Sequence, residues 1–141
     1  MVFKTIGRFS RTAATVMLAA TAWPGACAFS FAEGRNMDVI AQASSGPLRC
    51  EIRKATVNGA VELTGAIVSD AALSGQYRYK VAKSGASGSS NINQASKFDL
   101  AAGAETRAGQ VLINLDRDAH VTVEFQVTSG DGLECVVKTS L

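Results

Sequence analysis

The chain is poor in the residues that catalysis and metal binding draw on. It has one histidine, one tryptophan and two prolines, and aromatic side chains make up 6% of it. His120 by itself cannot act as base to a serine nucleophile and also have an orienting partner. Asp116 and Asp118 sit too near it in sequence to complete a metal-ligand set, and a solvated histidine at a strand start is the expected outcome. Asp131-Gly132 lacks the ligand spacing of a calcium loop. The glycines at Gly85 and Gly88 have neither a phosphate-loop lysine nor a following helix. Trp23 lies far upstream of both later cysteines, so the Cys-Trp-Cys pattern of antibody domains is missing. No apolar run approaches the roughly 20 residues of a membrane-spanning helix. A protein without enzymatic activity, cofactor or metal is expected.

The first eleven residues carry Lys4, Arg8 and Arg11 and no acid. An uncharged apolar stretch from Thr12 to Trp23 follows, and then Ala26 and Ala28 in an A-x-A pattern. This order predicts a secretory signal over residues 1–28, with cleavage after Ala28 or after Ala32. Acylation of Cys27 is disfavoured because Pro24 stands where a lipoprotein signal has an aliphatic residue, and no Arg-Arg pair supports a twin-arginine route. Removal of the leader leaves eleven basic residues against twelve acidic, a net charge of −1. A nucleic-acid partner would want a clearly basic domain, and none is expected. The mature chain is expected to be soluble, monomeric and periplasmic.

Residues 29–47 end in Ser-Ser-Gly-Pro and are expected to form a flexible tether, with at most a helical turn at Met37–Ala41. From Leu48 the apolar period is two. Cys50 and Ile52 alternate with charged residues, and Asn58-Gly59 is a strong type I′ hairpin signal. Val61, Leu63, Gly65 and Ile67 share a face on the returning strand. Tyr77, Tyr79 and Val81 alternate with Arg78 and Lys80, with Lys83 at the end. The segment Ser84–Ser96 is polar and is expected to be mostly loop, with a weak edge strand at Ser89–Gln94. Short strands follow at Phe98–Leu100 and at Val111–Leu115, with a loop over Ala101–Gly109 before the second. The alternation is clearest from Val121 to Val127, and Leu133, Cys135 and Val137 make a last strand. About seven short strands with turns between them and no helical period predict an all-β, immunoglobulin-like antiparallel sandwich over residues 48–141.

With Cys27 gone, Cys50 and Cys135 remain. Both fall on inward faces, and two distant cysteines in an oxidising compartment predict a disulfide. In the chain-entropy model, closing so long a loop is worth roughly 4 kcal/mol. A redox pair would bring the thiols close in sequence, as in C-x-x-C, so the structural bridge is favoured. Arg78, Lys80, Lys83 and Lys97 form a basic strip that can be read in two ways. Lysines and arginines can keep an edge strand from pairing with other sheets. The same cations can engage extended acidic or Gln/Asn-rich chains.

The strand LRCEIRK, the hairpin NGAVELTGAIVS, the stretch GQYRYKVAKSGASGSSNINQASKFDLAAG, the strand GQVLINLD and the terminal GLECVVK together resemble the curli-associated periplasmic chaperones of the alphaproteobacterial CsgH type. YKVAKSGASGSSNINQ is the most specific part, and the resemblance covers Leu48 to Leu141. It implies an immunoglobulin-like sandwich that binds unfolded or oligomeric curli-type subunits without ATP and delays their amyloid assembly before secretion. Arg78, Lys80, Lys83 and Lys97 are then the expected client contacts, with Tyr77 and Tyr79 mainly in the core. The C-x-C pair of the gammaproteobacterial CsgC form is absent at Cys50-Glu51-Ile52, which removes that motif's support for thiol exchange. Two other roles stay open: a structural or accessory subunit of a surface fibre, and a thiol–disulfide partner.

Overall fold

The structure is a computed structural model and describes residues 36–141. The expected leader, both cleavage positions and residues 29–35 lie outside the described residues. Eight strands follow in order: β1 (Asp38–Ser45), β2 (Leu48–Val57), β3 (Ala60–Ser69), β4 (Leu73–Gly85), β5 (Gly88–Leu100), β6 (Glu105–Ile113), β7 (His120–Ser129) and β8 (Glu134–Ser140). They form two antiparallel four-stranded sheets, β1-β2-β3-β6 and β5-β4-β7-β8, in an immunoglobulin-like sandwich. The predicted fold class holds.

Period-two patterning explains the packing. Leu48, Cys50, Ile52, Leu63 and Ile67 of the first sheet meet Tyr79, Val81, Val123, Phe125 and Val127 of the second in one core. The Phe125 ring takes both tyrosines edge-on, with centroids 5.6 Å from Tyr79 and 6.2 Å from Tyr77. Tyr79 is fully buried and Tyr77 half-buried, as expected of core residues.

Bulky rings need space opposite them, and glycines supply it. Gly65 on β3 faces a bulge in β6 at Ala108-Gly109, where the register shifts between Thr64 and Ala66. The bulge changes the alternation: Thr106 and Ala108 face inward before it, Val111 and Ile113 after it. A Cβ on Gly65 would lie 3.1 Å from the Phe125 ring and closer still to the Ala108 carbonyl. Gly109 has φ +83°, and a Cβ there would fall 2.7 Å from the Tyr79 ring.

Three sequence expectations are corrected. The expected tether contributes β1: Asp38–Ser45 pairs with β2 through a tight Gly46-Pro47 turn, with Ala41 and Ala43 against the core. A short edge strand that packs only Ile40, Ala41 and Ala43 on the core, with its register shifted between Val39 and Ala41, leaves little apolar alternation, and the Met37–Ala41 stretch is extended from Asp38 onward rather than helical. The polar Ser84–Ser96 segment is strand almost throughout. β4 and β5 are thirteen residues each and pair from Leu73↔Leu100 to Gly85↔Gly88 around Ala86-Ser87. Main-chain bonds to β4 hold β5 without apolar alternation. Third, β6 starts at Glu105, inside the expected loop, and Leu115 lies beyond its end and is exposed. The Asn58-Gly59 turn is as predicted, with φ of 50° and 81°.

The two open sides of the sandwich are tied differently. On one, Cys50 of β2 and Cys135 of β8 form the predicted disulfide between the sheets, with Cα atoms 6.2 Å apart. Cys50 lies on the second strand, not the first, because β1 precedes it. On the other side, the inward-facing Gln94 amide of β5 reaches β6. It donates from Nε2 to the Gln110 carbonyl at 3.1 Å and accepts from the Gln110 N–H at 3.0 Å. A side-chain amide thus stands in for a neighbouring strand.

On the outward face of the first sheet four charged residues pair with one another. Arg53 holds Glu105 at 2.6 and 2.9 Å and Glu51 at 2.9 and 2.7 Å, while Arg49 reaches Glu51 at 2.8 Å. Hydrogen bonding to Arg53 holds the Glu105 carboxyl below its ordinary 4.5, against the opposing effect of partial burial.

Two outcomes follow. Gly109→Ala should lower stability by about 2 kcal/mol or more in denaturant unfolding, because it adds left-handed strain to a clash with Tyr79. Because its folded-state pKa is depressed, Glu105 adds stability that is complete above its unfolded value and is lost as pH falls through the folded one. Glu105→Gln should therefore flatten the fall of unfolding stability between about pH 5 and pH 2 and change little at pH 7 relative to its own baseline.

Candidate client-binding face

The second sheet turns its other face to solvent, and strand register fixes what stands there. β4 presents Gln76, Arg78, Lys80 and Ala82 outward, alternating with the inward Tyr77, Tyr79 and Val81. Their neighbours on β5 are Lys97, Ala95, Asn93 and Asn91. On β7 they are Thr128, Gln126, Glu124 and Thr122. Beyond β7, β8 adds Glu134, Val136, Lys138 and Ser140.

Cations and acids on this face are used unequally. Glu124 accepts from Lys138 at 3.2 Å, and Glu134 accepts from the Gln126 amide at 2.6 Å. Asp99 is exposed at the Leu73 end of β5, across from Ser74. Arg78, Lys80 and Lys97 make no ion pair among the described residues. Exposed ion pairs contribute little to stability, so leaving these three unpaired costs the fold little. It leaves them available to a ligand.

Three of the four basic residues named from the sequence therefore come together, and the fourth does not. Strict alternation puts Lys83 on the tyrosine side of β4. Its ammonium lies 3.5 Å from Asp116, and its side chain is only 14% exposed. Asp116 also accepts from the Ser87 hydroxyl in the β4–β5 turn. The Ser87 bond, and then the Lys83 charge, hold this carboxyl below its ordinary range. Lys83 is thus an anchor for the hairpin tip. His120 is exposed at the start of β7, opposite Ser84.

The face is also concave. A hollow of about 470 Å³ lies between Gln76, Arg78, Ala95, Gln126 and Thr128. A second of about 260 Å³ shares Arg78 and Ala95 with it and adds Lys80 and Asn93. A third of about 200 Å³ shares Lys80 and Asn93 and continues to Ala82, Asn91 and Thr122. Together they make one shallow trough along β4. Composition did not point to its small and amide residues. The signal that could have found them is the register set by a two-residue turn between Gly85 and Gly88, which aligns Ala95 with Arg78 and Asn93 with Lys80.

Comparison with known proteins bears on the family and the fold. No curated protein matches the chain. The solution structure of R. palustris CsgH superposes with a TM-score of 0.52 at 28% identity, over 65% of this chain and 88% of that one. The E. coli curli protein CsgC superposes with a TM-score of 0.56 over 66% of this chain and 96% of that one. At 15% identity this second likeness shows the fold alone. The family model described as CsgH protein matches residues 49–136, from the residue before Cys50 to the residue after Cys135, and the chain belongs to the CsgH family.

Proposed function

We propose that this chain is a periplasmic, ATP-independent chaperone that delays amyloid assembly of curli-type fibre subunits before their secretion. It acts without catalysing a reaction, as a processed, monomeric domain. The observation that carries the reading is the set of three cations, Arg78, Lys80 and Lys97, left without ion-pair partners among the described residues on one solvated sheet face of a CsgH-family domain.

Amyloid grows by the stacking of extended segments whose backbone groups pair with the next chain. A protein that holds such segments early has only to compete with the first such contacts. Mobile surface cations raise the encounter rate with acidic segments and fall away as salt rises. They carry no backbone template of their own, so contact through them need not seed a strand. A thiol-exchange role finds little support, since Cys50 and Cys135 are 0% and 2% exposed.

The test is a thioflavin time course of a curli-type subunit with substoichiometric processed chain. The wild type should lengthen the lag, and less so at high salt. Arg78→Gln, Lys80→Gln and Lys97→Gln together should raise the amount needed for the same delay by about tenfold or more while the circular dichroism spectrum is unchanged. Lys83→Gln should leave the delay intact. Full inhibition by the triple variant would remove the proposal. Stoichiometric incorporation of the chain into fibres would favour an accessory-subunit role instead. Changing Cys50 and Cys135 to Ser should affect the delay only in step with lost stability.

A further inference from the structure

We infer that the trough along β4 receives one extended acidic segment of another protein, about six residues long, lying face-on over the second sheet and parallel to its strands. This deepens the proposed function and rests on it for the identity of the partner, but its geometry can be tested separately.

The dimensions set the occupant. The three hollows follow one another along β4 from Gln76 to Ala82, neighbours sharing Arg78 and Ala95 or Lys80 and Asn93. At about 3.4 Å per residue that is roughly 20 Å, the length of an extended hexapeptide. The outer two hollows are lined from β5, β4 and β7, about 10 Å across, and the middle one from β5 and β4 alone, so one extended chain fits where two do not.

The depth comes from specific side chains. Ala95 stands beside Arg78, and Ala82 stands between Asn91 and Thr122. Each alanine leaves a gap among longer neighbours on a face where nothing internal requires a small residue. Inward positions such as Gly65 have rings to accommodate, whereas Ala82 and Ala95 are exposed.

Charge selects the chemistry. Arg78 and Lys80 rise from within the trough and Lys97 stands at its Gln76 end, all three unpaired among the described residues. The two carboxylates nearest them on β7 and β8 are already occupied by Lys138 and Gln126. Alternate residues of an extended chain point the same way every 6.8 Å or so, which matches the spacing of Arg78 and Lys80 along β4. An acid at every second position would therefore meet both cations in register, with Asn93 and Gln126 left to donate to its backbone or amides. Edge addition is less well provided for. At Gln110 the β6 edge is already filled by the Gln94 amide.

The experiment fills the trough without altering charge. The probe is a fluorescein-labelled octapeptide alternating Asp and Thr, titrated by anisotropy against the processed chain, with a Lys-Thr octapeptide as control. Ala95→Trp should weaken Asp-Thr binding by about tenfold or more, as blocking a central contact does. Leu112→Trp, on the other sheet, should not weaken it. Ala82→Trp is the second variant should Ala95→Trp misfold by circular dichroism. In nitrogen-15 chemical-shift mapping the peptide should move amides of β4 and β7, not those of the β5 and β6 edges alone.

Binding unchanged in both tryptophan variants overturns the trough, as does shift change confined to an edge strand. A dimer by light scattering that Ala95→Trp dissociates would make a second copy the occupant and overturn the partner named here. If Ala95→Trp still delays fibrillation while the triple charge variant does not, the chaperone reading stands and the trough falls. If the wild type binds the peptide through the trough yet never delays a curli-type subunit, the trough stands and the chaperone reading falls.

Discussion

A sandwich holds only while its two sheets stay face to face, and here a single covalent bond between non-adjacent strands enforces that. Cys50 sits on β2 and Cys135 on β8, 85 residues later, so the bridge closes a loop containing nearly all of the domain. In chain-entropy terms that is worth roughly 4 kcal/mol, against the 5–15 kcal/mol net stability typical of a domain. The rest of the core is arranged around that closure. Phe125 and Tyr79 fill the middle against Gly65 and Gly109, and Gln94 holds the opposite side by hydrogen bonds alone. One side of the sandwich is thus fixed, and the other is closed by groups that water can replace.

The two outer faces divide the work of charge. On the first sheet Arg49, Arg53, Glu51 and Glu105 satisfy one another, as groups do when they hold strands together. On the second, Arg78, Lys80 and Lys97 are left over. Net charge hides this difference, because the sequence has 14 basic and 12 acidic residues and comes close to neutral. On the proposed chaperone reading such a surface is of use: attraction is local, weakened by salt and made through a sheet face rather than a sheet edge, so release is as easy as capture.

Much of this was legible in the sequence, and the misses have physical causes. Apolar alternation revealed β2, β3, β4, β7 and β8, because large apolar side chains take their inward positions; on β3 the outward Glu62 and Thr64 keep the alternation readable in the sequence although both faces are buried. It failed for β1 and most of β5, which are edge strands held by main-chain bonds, with few large inward residues. It misplaced the start of β6 because the Ala108-Gly109 bulge breaks the period midway. The cysteine pair was readable because Cys50 and Cys135 both fall on inward positions of alternating strands, with Cys27 assigned to the expected leader. Of the basic strip, Arg78, Lys80 and Lys97 share one face, and alternation, applied strictly, already placed Lys83 on the other side of the strand. The trough was not legible, since alanines and asparagines in a Gly/Ser-rich stretch read as a flexible loop until the hairpin register aligns them.

The two-residue turn at Ala86-Ser87 makes the β4–β5 ribbon sensitive to parity. Side chains in a strand alternate, so inserting or deleting one residue within β5 would turn Lys97, Ala95 and Asn93 inward and bring Ser96 and Gln94 out. A two-residue change would restore the face and merely slide its pattern along β4. Length variation in this polar stretch should therefore be tolerated in pairs, giving descendants of such a domain a discrete way to shift where a charge sits without rebuilding the core.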